Sequence, residues 1–198
     1  MRKFTRADCP DALKERGVKW TADFVERGYW TDWPQYKNMK LNQILLETGL
    51  RSQTQEHCSY CDMTPICPPG RETIDHFHPK SGQNGRLDLA FEWTNLFYCC
   101  DHCQQMKSDQ FETALLKPDA HDYTFETYFQ WDFATGELKP NEVAPPEIQH
   151  RADRTIQILK LYDKHPALRL KEKRNFESAQ AQCIDDFSYR DFLEVTGT

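Results

Sequence analysis

The chain has 198 residues, 38% of them hydrophobic and 13% aromatic, enough for one modest core with extensions and too many for disorder throughout. Its 25 Lys and Arg against 31 Asp and Glu give a formal net charge of −6, which excludes a uniformly basic nucleic-acid coat and leaves any grip on phosphates to a focused pocket, a bound cation or a partner chain. No run reaches the roughly 18 apolar residues of a membrane span, and no apolar stretch follows the opening Met-Arg-Lys-Phe-Thr-Arg, so the expectation is a cytoplasmic protein without a membrane partner.

Along residues 11–27, Leu13, Val18, Trp20, Phe24 and Val25 recur at helical spacing and Gly28 supplies a stop, which predicts a first helix. Trp30, Trp33, Pro34 and Tyr36 form an aromatic connector, and Leu41, Ile44, Leu45 and Leu46 predict a second helix over 37–48, closed by Gly49. Residues 50–70 read as loop, with Pro65, Pro68, Pro69 and Gly70 opposing regular structure at the end. A short strand is expected over 72–77, the start of a second strand or a turn over 94–98, a turn over 81–86 and a helix over 104–111. Residues 124–133 alternate aromatic and polar side chains and lead through Ala134-Thr135-Gly136 into 137–139, the pattern of a β-hairpin. Pro145-Pro146 opens a helix to about residue 162, and a last helix is expected over about 166–187.

Six of the eight cysteines fall between residues 58 and 103, and in a chain read as cytoplasmic such clustering points to metal before disulfides. Cys58-Ser-Tyr-Cys61 and Cys100-Asp-His-Cys103 are two C-x-x-C pairs, each able to turn two thiolates toward one tetrahedral Zn²⁺. Cys99 is an alternative ligand. Cys67 reads as a bystander, and Cys9 and Cys183 as small buried residues. Of the tryptophans, Trp20, Trp30, Trp33 and Trp131 are expected in core or interface.

Between the pairs lie Thr73-Ile74-Asp75-His76-Phe77-His78-Pro79-Lys80-Ser81 and Trp93-Thr94-Asn95-Leu96, and the second pair continues into Gln104 and Lys107. Over about residues 55–110 this resembles the HNH nucleases of the four-cysteine zinc version. The resemblance implies an α+β protein with a zinc-clasped ββα-metal core over 55–111, a helical segment over 1–54 before it, and a hairpin with helices over 112–198 after it. Asp75 would ligate a catalytic Mg²⁺ or Mn²⁺, His76 would be the general base, and Asn95 would hold the loop that orients His76. Gln104 stands where the family usually has Asn or His as second metal ligand, with His102 as the nearest substitute. Lys80, Lys107 and His78 are the candidates for phosphate contacts.

Ala152-Asp153-Arg154-Thr155-Ile156, Leu159-x-Leu161-Tyr162 and Leu168 are similar to the tail of a bacterial subfamily that includes nuclease subunits of Septu and certain retron anti-phage systems, encoded beside an ABC-type ATPase. The implied function is endonucleolytic cleavage of DNA within a defence complex, with tRNA the competing substrate. The implied ATPase would use the stretch 146–198, read as acidic, and the segment around Trp30 and Trp33. The rival from another class is a zinc-stabilised binding module whose catalytic pocket has decayed, and Gln104 is its best support.

Overall fold

In the computed structural model, which describes residues 1–66, 72–179 and 183–194, the first helix forms as the periodicity predicts. Helix α1 (Asp11–Arg27) buries Ala12, Leu13, Gly17 and Phe24, and ends at Gly28, whose left-handed φ of 78° lets its N–H reach the carbonyls of Phe24 and Val25. The aromatic connector hides a small hairpin, β1 (Gln35–Tyr36) with β2 (Met39–Lys40). Its two turn residues, Lys37 and Asn38, both take positive φ, a turn normally signalled by glycine and here unannounced. The second helix is shorter than 37–48: α2 (Leu41–Leu45) passes into a π-helical turn, Leu46–Leu50, with Leu41, Leu45 and Leu50 fully buried.

The centre is a strand pair followed by a helix. Strand β3 (Glu72–His76) runs antiparallel to β4 (Leu96–Cys100), in register from Glu72 opposite Cys100 to His76 opposite Leu96. The second strand starts later than expected because Trp93–Asn95 winds into a 3₁₀ turn capped by the Glu92 side chain. Helix α3 (Asp101–Lys107) begins three residues before the expected start, directly after the strand, with the Cys100 sulfur accepting the Cys103 N–H as its cap.

Downstream, the expected strand over 124–133 is only partly one. Phe125, Tyr128 and Phe129, three and four apart, all point inward, so the chain makes one helical turn, α4 (Phe125–Tyr128), before β5 (Phe129–Asp132) pairs with β6 (Glu137–Pro140). Gly136 closes that hairpin at φ 75°, and a Cβ there would stand 2.5 Å from the Pro166 carbonyl oxygen, so both the turn and the helix packed on it need glycine. Helix α5 (Pro146–Ile158) starts on the second of the two prolines and ends short of the expected residue 162. The last expected helix is shorter, α6 (His165–Ser178), and beyond its expected end a separate short helix, α7 (Arg190–Glu194), returns to the cysteine-rich centre.

The result is a mixed α+β fold with three two-stranded sheets among the described residues. One core runs from Met1 to Leu161, and Phe187, Tyr189, Phe192 and Leu193 form a smaller one. Among the described residues no helix is long and apolar enough to cross a membrane.

The return of α7 is fixed by charge. Asp62, at positive φ just after the first cysteine pair, accepts the Arg190 backbone N–H at 2.7 Å and its Nη2 at 2.7 Å, with both side chains buried. Removing one member strands the other charge without water. Arg190→Met should therefore cost about 3–5 kcal/mol, read as a lowered midpoint in chemical denaturation of the zinc-loaded protein; an unchanged midpoint would show that this pair does not hold the C-terminal helix in place.

Candidate metal and active-site pocket

The loop after the π-helical turn brings Cys58 and Cys61 against the end of β4 and the start of α3, which carry Cys100 and Cys103. The ligand atoms of these four residues lie within 4.8 Å of one another, and all four are buried. The Cys61 and Cys100 sulfurs are 3.8 Å apart, the edge length of about 3.8 Å that a tetrahedron with Zn–S bonds of about 2.3 Å requires. The cluster is thus shaped to hold one structural zinc. Cys99 lies outside it, because successive strand residues face opposite ways: its sulfur sits 3.2 Å from the Thr73 hydroxyl. Cys9 is half-buried and Cys183 exposed, so the expectation of two small buried residues fails. Cys67 lies outside the described residues.

Beside the cluster, a cavity of about 320 Å³ is walled by Asp75 and His76 of β3, Lys80 and Ser81 of the loop that follows, and Gln104 and Ser108 at α3. Asp75 is buried, and one of its oxygens, Oδ2, accepts the Tyr60 hydroxyl at 2.6 Å and faces the Lys107 ammonium at 3.1 Å. Its other oxygen takes no hydrogen bond among the described residues. Burial raises the Asp75 carboxyl, opposed by Lys107, Tyr60 and Lys80.

His76 is 4% exposed, and its Nε2 lies 3.0 Å from the Ala90 carbonyl. Because a carbonyl only accepts, the hydrogen is assigned to Nε2 and the lone pair of the neutral ring to Nδ1. Burial, helped by the positive charge of Lys80, pushes the imidazole down to about 3, so the ring is neutral near pH 7. Asn95 acts on the loop beyond: its Oδ1 accepts the His78 N–H at 2.7 Å, and its Nδ2 donates to the His78 and Leu89 carbonyls.

The structure gathers Asp75, His76, Gln104 and Lys80 around one cavity. Gln104 donates through Nε2 to the Ile74 carbonyl, which leaves its amide oxygen as the end without a protein partner among the described residues. Lys80 places its ammonium 5.0 Å from the Trp30 ring and stays half-buried at the cavity wall. Lys107 corrects its expected role: it is wholly buried and gives its ammonium to the His76 carbonyl at 2.7 Å and to Asp75, so it props the site from behind and cannot reach a phosphate. His78 stacks on Phe111 at 3.5 Å and does not line the cavity. His102 packs on His165 instead, ring to ring at 5.3 Å, and is no substitute for Gln104.

Sequence reasoning missed the cover over His76. Trp33 stacks on its ring at 5.5 Å and 20°, and Trp30 meets it edge-on at 5.5 Å. Both belong to the connector before β1 and are held by Phe91. Their type predicted core or interface packing, but no spacing linked them to a residue more than 40 positions away. Tyr60, inside the first cysteine pair, was also missed as the hydrogen-bond donor to Asp75. A comparison with models of known protein families finds no match for this chain, and a search of curated proteins finds no relative.

Proposed function

We propose that this chain is a metal-dependent endonuclease of the HNH type that hydrolyses phosphodiester bonds, with DNA as the substrate. The observation that carries this reading is the cavity in which a buried carboxylate with one open oxygen, an amide side chain and a neutral imidazole with an open Nδ1 converge at a strand–strand–helix unit. The sequence resemblance over residues 55–110 supports it independently. Asp75 and Gln104 would hold a catalytic Mg²⁺ or Mn²⁺, since their oxygens are the hard donors such ions prefer. When bound, the ion would neutralise charge on the leaving oxygen.

The chain's own residues do the rest. Nδ1 of His76 takes a proton from water as that water's oxygen bonds to phosphorus, and the bond from phosphorus to the leaving oxygen breaks. The Ala90 carbonyl and the two tryptophans keep the ring from turning. Lys80 offers its charge to a phosphate oxygen at the cavity wall. The similarity of the tail at Ala152–Ile156 and Leu159–Leu168 to defence nucleases supports a role in an anti-phage complex with an ABC-type ATPase.

Zinc-loaded protein incubated with supercoiled plasmid should nick it only when millimolar-range Mn²⁺ or Mg²⁺ is added. Asp75→Ala should raise the ion concentration needed for half activity, read by titrating the ion at fixed enzyme. Absence of cleavage of both plasmid and tRNA, with the ATPase present, would favour the decayed binding module.

A further inference from the structure

Helix α6 and its cap carry three cations on one side. Taking about 100° per residue, the cap Lys164 and Ala167, Leu168, Lys171, Arg174, Asn175 and Ser178 share one face, and all seven are exposed. No acidic residue of α6 lies on that face; the nearest acids are Asp163, just before the cap, and Asp101, which with Lys164 act on His102. The helix's own acids are accounted for elsewhere: Glu172 accepts the Ser188 N–H at 2.8 Å, and Glu177 faces Lys173 at 3.8 Å. Lys164, Lys171 and Arg174 have no ion-pair partner among the described residues. This is unusual in a chain of net charge −6, and it corrects the reading of 146–198 as acidic, since that stretch holds nine Lys and Arg against nine Asp and Glu.

The face begins against α3: His165, next to Lys164, packs on His102, which lies about 200° around that helix from the Gln104 that walls the cavity. From there Lys164 to Arg174 spans about 15 Å along the helix axis.

We propose that this cationic face of α6 binds the phosphate backbone of the nucleic acid that the cavity cuts, an inference that rests on the nuclease reading. Its occupant is a polyanion and not an acidic protein, because the face offers charge and small polar groups but no aromatic anchor; its one large apolar residue, Leu168, is 39% exposed, whereas protein interfaces centre on buried aromatic or apolar anchors. Contacts of this kind position a backbone without reading sequence.

The test is the salt dependence of binding to a labelled DNA duplex and a labelled tRNA, with no divalent ion added so that nothing is cut. Replacing Lys164, Lys171 and Arg174 together by Gln should weaken binding about 10-fold or more at about 0.1 M salt and flatten the plot of log affinity against log salt by about 2 to 3, at 0.7–0.9 per phosphate contact. Zinc content and circular dichroism should be unchanged. Should the triple variant misfold, Lys164→Gln and Lys171→Gln singly should each flatten the slope by just under about 1. An unchanged slope overturns the proposal, and so does a wild-type protein that binds neither probe. Loss of ATPase capture with nucleic-acid binding intact makes the face a partner site and overturns it too. Plasmid nicking run in parallel separates the two readings: nicking with an unchanged slope removes only the α6 face, while slope loss in a protein that never nicks removes only the nuclease.

Discussion

Replacing Cys100 by serine should unfold the centre of the protein and not merely slow it. Structural zinc supplies about 10–16 kcal/mol of apparent binding free energy near pH 7 in small zinc domains, as much as the whole stability of a typical domain, about 5–15 kcal/mol. The four sulfurs here converge from the first cysteine loop and from the junction of β4 with α3, so the ion would fasten that loop to the strand–helix junction beside the bond from the Ser59 N–H to the Tyr98 carbonyl. Cys100 also caps α3 through its sulfur; a serine hydroxyl can keep that cap, so the variant isolates the loss of the thiolate ligand. The expected outcome is a protein that lacks zinc by elemental analysis, has lost cooperative thermal unfolding, and has lost activity as a result. A Cys100→Ser variant with full stability, or wild-type protein purified without chelators that contains no zinc, would show that the cluster is four buried thiols and nothing more.

His76→Ala should act in the opposite way, leaving the fold and removing the chemistry. The side chain makes one hydrogen bond, to Ala90, and otherwise packs between Trp30 and Trp33, so its loss opens a hole at the edge of the core but breaks no network. A positioned general base contributes about 10²- to 10⁴-fold in rate, and plasmid nicking should fall by that factor while zinc content stays at wild type. Wild-type nicking by the variant would take His76 out of the mechanism. The pH profile carries a second expectation. Burial pushes the ring down to about 3, so His76 keeps its lone pair throughout mildly acidic pH. The acid side of the rate profile should then lack the break near 6.5 that a solvent-exposed histidine would give. A break at that pH, abolished by His76→Ala, would mean the ring is wetter than the two tryptophans imply.

Local signals in the sequence were readable where local physics decides. Gly28 stops α1, the C-x-x-C pairs fix which sulfurs can meet, and the short apolar runs around Ile74 and Phe97 make β3 and β4. Boundaries failed where a side chain far along the chain sets them. Helix α7 lies where it does because Arg190 meets Asp62, 128 residues away. One turn of α4 sits inside an alternating pattern because Phe125 and Phe129, four apart, fit both periods, while Tyr128 fits only the helical one. In the candidate site, the motif residues themselves were legible, but their surroundings were not. Nothing about a lysine in the last turn of a short helix says that it is wholly buried against Asp75, and nothing in an aromatic connector says that it roofs a histidine.

The ladder between β3 and β4 also sets where this protein can tolerate changes in length. Glu72 opposite Cys100 and His76 opposite Leu96 put a cysteine of the four-sulfur cluster at one end of a five-rung pairing and the candidate base at the other. One residue inserted anywhere within 96–100 would swing Cys100 to the opposite side of the strand and break the cluster and the pocket together. The exposed turn around Gly82 and Asn84 is free of that register constraint, since its ends are closed on each other by the Arg86 N–H to the Pro79 carbonyl and the chain beyond is held by Asn95 on His78, although Gly82 and Asn84 themselves lie against Asp109. Natural length variation and engineered tags should therefore be accommodated at that turn and refused in the strand that follows it.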